Sequence, residues 1–467
     1  MKTRIKNLFR CLAVASLRSR ILPALLTGLG LALMAIDSQA GVVLTTLHSF
    51  TGGTNGVNPQ AALVQGRDGN FYGTTYGAPA FGANGTVFKI STNGALTTLH
   101  SFSASGWDGA NPQAALVQGR DGDFYGTTSS GGGSYGTVFK ISTNGALTSL
   151  YSFGMFVIPY GIATDGANPE AALVQGSDGN FYGTTSSGGE GAVGTVFKIS
   201  TNGTLITLHS FSWPKDGDAP YAGLVQGSDG YLYGTTAYGG TNNWGNVFQI
   251  STNGALTNLY YFTGTNDGAY PYAGLVQGGD GSFYGTTLTS VFKVGTNGVL
   301  TSLHSFGITN YAEGPNAGLV KGRDGYFYGT MVGGGTNNLG TVFKISTNGA
   351  LTTLYSFTGS SDGSGPNAVV QGSDGNFYGT TYGTVFRLTI VQDPPQLTII
   401  PSGTNVILTW PTNFAGFDYT GFILQSTTNL VSPAGWSAVS PGPVVINGQS
   451  TVTNPISGIR KFYRLSQ

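Results

Sequence analysis

The sequence predicts an all-β chain, a seven-bladed β-propeller whose N-terminal strand closes the last blade, followed by a small β-sandwich. Three observations predict it. The phrase Asp-Gly-x-Phe-Tyr-Gly-Thr-Thr, in varied spelling, recurs seven times, starting at Asp68, Asp121, Asp178, Asp229, Asp280, Asp324 and Asp374. The intervals of 53, 57, 51, 51, 44 and 50 residues fall in the range of propeller blades. Each copy sits inside a unit of four short extended segments separated by turn residues, and the two ends of the array are complementary fragments of one unit.

Residues 1–40 read as a signal peptide. Lys2, Arg4, Lys6, Arg10, Arg18 and Arg20 precede the apolar run Ile21 to Ile36, and Ser38-Gln39-Ala40 offers small residues for cleavage after Ala40. The run is shorter than the roughly 20 residues of a membrane span, so no span is expected in the mature chain. The only cysteine, Cys11, leaves with this segment, which excludes disulfides and cysteine metal ligands from the mature protein.

Residues 41–390 form the predicted propeller. In one unit, Ala114 to Gln118 is the first strand, Asp121-Gly122 a hairpin and Phe124 to Thr128 the second strand. Thr137 to Ser142, an Asn144-Gly145 hairpin and Leu147 to Phe153 complete it. Asp-Gly and Asn-Gly suggest type I′ turns, with both central residues at positive φ. Adjacent apolar residues such as Val138 and Phe139 suit a sheet covered on both faces. An orphan fourth strand, Val43 to Phe50, precedes the first unit. The last unit, with Ala368 to Gln371, Asn376 to Thr381 and Gly383 to Ile390, lacks its own, so the N-terminal strand should complete it and remove two sheet edges. The small residues Ala61, Ala115, Ala172, Gly223, Gly274 and Gly318 place each first strand nearest the crowded axis.

The run Leu-Val-Gln-Gly-Ser-Asp-Gly-Asn-Phe-Tyr-Gly-Thr-Thr at 173–185, continued by Gly-Thr-Val-Phe-Lys-Ile-Ser-Thr-Asn-Gly at 194–203, resembles the GloVer (Gloeo/Verruco) tandem repeat of exported bacterial proteins, over roughly residues 42–390. The resemblance implies an exported, propeller-like protein with varied attachment ends. It brings no catalytic residues.

Residues 391–395, with Pro394-Pro395, form a linker. Residues 396–467 have a different vocabulary: Gln396 to Ile400, Asn405 to Trp410, Gly421 to Thr427, Gly435 to Val439, Gln449 to Asn454 and Lys461 to Ser466 read as short strands. They resemble a fibronectin type III or immunoglobulin-like sandwich around Trp410, with Trp436 in packing rather than binding.

The whole chain is neutral, with 20 basic and 20 acidic residues; without residues 1–40 it keeps 14 against 19, a charge of −5. That speaks against nucleic acid or anionic lipid as partner. An aromatic content of 12% separates this glycine-rich chain from disordered sequences.

Several rings of equivalent residues carry polar chemistry. His48, His100, His209 and His304 share a position with Tyr151, Tyr260 and Tyr355, which favours an amphipathic outer strand over a metal ring. Lys89, Lys140, Lys198, Lys293, Lys344 and Arg387 read as solvated or capping residues. A second acidic series, Asp108, Asp165, Asp216, Asp267 and Asp362, lies in the loops before the first strands; loop capping is favoured, with sugar hydroxyls or a cation near the axis as the alternative.

The mature chain has three glutamates, Glu170, Glu190 and Glu313, and none of the nucleophile-elbow, zinc or phosphate-loop motifs. The expectation is therefore a noncatalytic binding or scaffold protein, monomeric, secreted or at the cell surface, without metal or cofactor, whose partner is a glycan or a surface protein. An extracellular glycoside hydrolase or lyase is the alternative, since paired carboxylates leave no sequence signature. The variable loops, joining second to third strands and fourth strands to the next blade, should share one face and carry Phe81, Trp107, Tyr135, Phe156, Tyr160, Trp213, Trp244 and Tyr311. The candidate ligand-binding residues are Trp107, Trp213, Trp244, Tyr135, Tyr160 and Tyr311, with Asp108, Asp165, Asp216 and Asp267.

Overall fold

The structure is a computed structural model. It describes residues 41–52, 56–77, 84–103, 107–133, 135–154, 157–158, 162–307, 314–391, 396–414, 417–418, 422–428, 435–455 and 461–466. The predicted signal peptide and linker lie outside them. Residues Val42–Ile390 form one compact unit, and the chain from Val391 onward belongs to another. Among the described residues no helix is long and apolar enough to cross a membrane.

The first unit contains seven four-stranded antiparallel sheets. In the first, Val64–Gln65, Phe71–Thr75, Thr86–Ile90 and Leu96–Ser101 pair in chain order. The repeated phrase explains why such sheets assemble. Phe71 and Tyr72 point to opposite faces, so one serves each seam. The Tyr72 ring stacks on Phe124 of the next blade at 4.0 Å, and Tyr125 on Phe181, Tyr233 on Phe283 and Tyr328 on Phe377 repeat the distance. Gly73 lets the sheets close, because a Cβ there would lie 2.6 Å from the Phe88 ring and 2.8 Å from Leu63. The hydroxyl of Thr74 donates to the carbonyl of Ala114 in the next blade, and that of Thr75 meets Thr86 across its own sheet at 2.9 Å. Burying one aromatic ring in this way is worth roughly 1.5–3 kcal/mol, and every seam buries several.

Two sequence expectations need correction. The Asp-Gly turns are not type I′: Gly69 has φ 80° but Asp68 is not in the left-handed region. The Gly69 N–H donates to Gly66 and the Gly66 N–H to Asn70, the arrangement of a type I turn closed by one left-handed glycine. The first strands are also shorter than expected. Only Val117–Gln118 pair within the second blade, where Ala114 to Gln118 was expected, because the Ala114 carbonyl is taken by Thr74 of the preceding blade.

At the axis the first strands crowd as their small residues require. A Cβ on Gly223 would meet the Ala172 carbonyl at 2.8 Å, and one on Gly318 the Gly274 carbonyl at 3.1 Å. The ring is shut by the N-terminal strand Gly41–Ser49, which pairs outside Thr384–Val391 in the seventh sheet. That sheet packs against the first, with Tyr378 and Val385 sharing a core with Leu63, Phe71 and Phe88.

The second unit has two main sheets and a two-stranded ribbon of Asn413–Phe414 and Phe417–Asp418. Thr398–Ser402, Asn405–Pro411, Gln449–Pro455 and Val444–Ile446 form one; Ser437–Ala438, Ile423–Thr427 and Phe462–Ser466 form the other. Leu408, Trp410 and Val452 from the first pack against Leu424 and Tyr463 from the second, giving a sandwich with Trp410 at its core. Trp436 lies against the Arg464 guanidinium at 4.3 Å, a cation–π contact.

Candidate functional site

The residue that follows the repeated proline of each blade stands in the segment that leads into the first strand and lines the axis. Around the ring these residues are Gln60, Gln113 and Glu170, then Tyr221 and Tyr272, then Asn316 and Asn367. They form the mouth of an axial cavity of about 220 Å³, walled below by the small residues of the first strands. Seven equivalent positions thus carry four residue types, where the rest of each first strand is nearly uniform. One arc is aromatic, one carries amides, and a single acid separates them.

The aromatic arc extends outward. Tyr221 and Tyr272 lie 5.4 Å apart, the hydroxyls of Tyr272 and Tyr238 are hydrogen-bonded, and Tyr238 meets Tyr270 at 5.4 Å. Tyr270 in turn contacts Trp244 at 4.9 Å, so a connected aromatic strip runs from the axis into the loops. Asp218 and Tyr238 form a backbone bridge between the loop entering the fourth blade and the loop after its second strand, which places both variable loop sets on one face.

The backbone keeps the repeat just before this position, but the residue that adopts it changes. Asn58, Asn111 and Asn168 take the left-handed conformation before the proline, and the amides of Asn111 and Asn168 donate to the carbonyls of Tyr76 and Ser129 in the preceding blade. Ala219 and Tyr270 hold that conformation at φ 52° and 58° without such an amide. Left-handed geometry costs such a residue about 1 kcal/mol or more, so blades four and five hold this turn with less local support than the asparagine blades.

Two carboxyl groups flank Tyr221. Burial pushes Glu170 above the ordinary carboxylate range despite a Ser186 hydrogen bond, and burial likewise raises Asp218 despite the Ala219 N–H. Burial, and after it the nearby charges of Glu170, Tyr238 and Asp218, raises the Tyr221 hydroxyl. Asp218 occupies a position that holds Ala110, Ala167 and Ala269 in other blades, so it too breaks the repeat.

The candidate residues read from sequence divide. Trp107 and Trp213 are 76% and 59% exposed. The Trp213 indole donates to Asn243, beside Trp244, at the outer end of the aromatic strip. Trp244 and Tyr135 are packing residues instead, each set against a core cluster. Tyr160 and Tyr311, with Phe81 and Phe156, lie outside the described residues. The acidic loop series turns inward. Asp108 accepts from Ser103 and pairs with His100 at 2.9 Å; Asp165 accepts from Tyr151 and the Gly154 N–H. Asp216 pairs with His209, and Asp267 accepts from Tyr260 and Thr263. These carboxylates lock the fourth strand to the following loop, and none of them is among the residues lining the axial cavity. At five of these positions the His or Tyr side chain meets that aspartate, as His100, Tyr151, His209, Tyr260 and Tyr355 show, whereas the Nε2 of His48 is buried without a partner.

The lysine ring is not simply solvated. Lys89 lies 2.8 Å from Asp68, which also accepts from the Tyr72 hydroxyl, and Lys140, Lys198 and Lys293 repeat the pairing with Asp121, Asp178 and Asp280. Among the described residues no three His, Cys, Asp or Glu side chains gather as a metal site would require. The axial acid and tyrosines escape sequence reasoning because they lie just before the first strands, in a segment read only for its small residues. Superposing the seven units on Pro59, Pro112, Pro169 and their equivalents exposes the variable position directly.

Comparison with known proteins agrees with the architecture. A streptogramin B lyase structure matches with TM-score 0.54 at 18% identity, covering 76% of this chain and 99% of that one. A virginiamycin B lyase from Staphylococcus aureus matches with TM-score 0.53 at 16% identity, covering 75% and 100%. The extracellular domain of a hybrid two-component system from B. thetaiotaomicron matches with TM-score 0.50 at 10% identity, covering 91% of this chain and 56% of that one. At these identities the likeness is one of fold. No curated protein matches the chain. The Gloeobacter/Verrucomicrobia repeat family matches three times in tandem, at residues 32–159, 156–291 and 288–398. The protein therefore belongs to the Gloeobacter/Verrucomicrobia repeat family.

Proposed function

We propose that the protein is an exported, noncatalytic binding propeller that contacts a glycan or a surface protein through its variable-loop face, with residues 1–40 as the signal peptide and the C-terminal sandwich as a spacer or attachment module. One observation carries the reading: the repeat is broken where side chains converge on the axial mouth, and the breaks supply unlike polar and aromatic groups. Structural upkeep of a ring asks for the same residue in every blade, whereas a recognition site asks for different ones. Trp107 and Trp213 give the same face exposed aromatic surface of the kind that anchors partners. The test is a glycan array and a capture assay against bacterial surface proteins, run on the mature protein and on the Trp107→Ala/Trp213→Ala variant. Binding to either class that falls at least tenfold in the variant supports the reading, and binding indifferent to it sinks the face assignment. Amino-terminal sequencing of the exported protein should begin at Gly41.

A hydrolase or lyase is the second reading. Glu170 and Asp218 beside Tyr221 favour it, as two carboxyl groups in a partly desolvated setting are the minimum for acid–base work on a glycosidic bond. Turnover of any polysaccharide that disappears in Glu170→Gln with affinity retained would establish it over the first.

A further inference from the structure

We infer that the axial mouth is a subsite for the uncharged terminal sugar of a glycan chain, held end-on between the Tyr221/Tyr272 arc and the amides opposite. The inference rests on the proposed binding role of this face and adds to it the ligand's class and orientation. Its grounds are the shape, the chemistry and the charge of the mouth.

The cavity of about 220 Å³ falls below the roughly 300–1,000 Å³ of sites for drug-sized ligands, so it suits one ring and not a folded or branched ligand. It lies on the propeller axis, ringed by the segments that lead into the first strands, which approach so closely that a Cβ on Gly223 would meet the Ala172 carbonyl at 2.8 Å, so a chain enters by its end.

A sugar presents an apolar C–H face and a rim of hydroxyls, and the mouth offers both complements. Tyr221 and Tyr272, half-buried and only 38° from parallel, give a platform for the C–H face. Across the axis the side-chain amides of Gln60 and Gln113, and beside Tyr272 that of Asn316, have no hydrogen-bond partner among the described residues, so each brings a free donor and a free acceptor. A peptide side chain would use one or two of these groups; a ring of hydroxyls uses all of them.

Charge selects among sugars. Glu170 lines the mouth, Asp218 acts on Tyr221 from beside it, and the mature chain is itself acidic, so uronic and sialic acids are repelled while an uncharged hexose meets only hydrogen-bonding groups.

Titration calorimetry of the mature protein decides the matter with three probes: linear gluco-, manno- and galacto-oligosaccharides, cyclic oligosaccharides that have no chain end, and linear chains ended by a uronate or a sialate. At least one neutral linear chain should bind, its cyclic counterpart at least tenfold more weakly, and the acid-ended chains more weakly still. Tyr272→Ala and Tyr221→Ala should each weaken binding at least tenfold, with circular dichroism and melting unchanged. Should either variant misfold, Gln113→Trp, which fills the mouth from the opposite arc, should abolish binding in a folded protein. Tyr231→Ser, in a hairpin on the opposite face, should leave the affinity as it is.

Equal affinity for cyclic and linear chains, preference for acid-ended chains, or insensitivity to Gln113→Trp overturns the inference. Failure of every sugar in the panel overturns it as well. The broader reading would then survive only if the capture assay finds a protein partner whose binding depends on Trp107 and Trp213.

Discussion

The ring of Tyr378, in the last blade, stacks on that of Phe71, in the first, with centroids 4.0 Å apart and planes 29° from parallel. The same contact joins Tyr72 to Phe124 at 28° inside the array. The closing seam is thus built from the same pieces as the seams within the chain, although more than 300 residues separate its partners. The Thr380 hydroxyl completes the match by donating to the Ala61 carbonyl at 2.9 Å, as Thr74 does to Ala114. Phe71→Ala should therefore cost about 3–5 kcal/mol, as removing a buried ring from a tight core does, and Phe124→Ala should cost the same. A chemical denaturation series checks it. A much smaller loss at Phe71 would mean that the ring does not depend on its closing seam.

Removal of residues 41–49 tests the closure from the other side. Val42 and Leu44 pack onto the core shared by the sixth and seventh blades, and the Phe50 N–H donates to Gly383. Without the strand, the edge Thr384–Val391 keeps unpaired backbone groups and an exposed apolar flank. The truncated protein should unfold with reduced cooperativity or aggregate on concentration, as followed by scattering and calorimetry. A truncation that melts like the parent would show that the seventh sheet needs only three strands.

What was legible in the sequence, and what was not, follows from repetition. The strand that begins at Phe71 is legible because its phrase recurs in every blade, and Val138 beside Phe139 already suits a sheet covered on both faces, but the seam roles of Phe71, Tyr72 and Gly73 emerge only from the packing. The pairing of Gly41–Ser49 was legible because the two ends of the array are complementary fragments. The Asp68-Gly69 turn was misjudged, since Asp-Gly serves both type I′ turns and type I turns closed by one left-handed glycine, and the register that separates them lies in the backbone hydrogen bonds of Gly66 and Asn70. Glu170, Tyr221 and Tyr272 went unnoticed for the opposite reason to Phe71: a site built by breaking a repeat has no pattern of its own. The edge strand Val444–Ile446 was missed because three consecutive exposed aliphatic residues show no alternation.

The Asp–Tyr–Lys groupings predict loss of stability at both ends of the pH scale. For Asp68, burial alone would raise the carboxyl, but hydrogen bonds from Lys89, Asn70 and Tyr72 outweigh it and hold the group well below the usual range; Asp178, Asp280 and Asp374 move in the same direction. A carboxyl lowered by folding contributes stability above its unfolded value, near 3.9, and that stability disappears as pH falls through the lower folded values. Tyr125 and Tyr378 move the other way: burial first, then the aspartate hydrogen bond, pushes each up to about 12. Their contribution is complete below the unfolded value near 10 and is lost as pH rises from there towards 12. From these groups melting temperature should fall as pH drops below about 4 and again as it rises above about 10. In Asp121→Asn the phenol absorbance of Tyr125 should titrate closer to 10, and an unchanged titration would remove the aspartate from the account.

The tryptophans of the variable face should separate into two classes. Trp107 is 76% exposed and Trp213 is 59% exposed, so replacing either with Ala removes little buried surface, and stability should change by no more than about 1 kcal/mol, including the single Trp213 hydrogen bond to Asn243. Trp244 differs, because its ring packs against Tyr270 and onto the core between the fourth and fifth blades, and a Cβ on Gly264 would lie 2.5 Å from it. Trp244→Ala should cost roughly 1–3 kcal/mol and loosen the aromatic strip that leads to Tyr272. Each variant is measured by urea denaturation and by binding of whatever ligand the arrays identify. The expected pattern is a weakened ligand with intact stability for Trp107 and Trp213, and loss of both for Trp244. Equal stability losses at all three positions would make the whole set packing residues and leave the axial mouth as the remaining contact surface of this face.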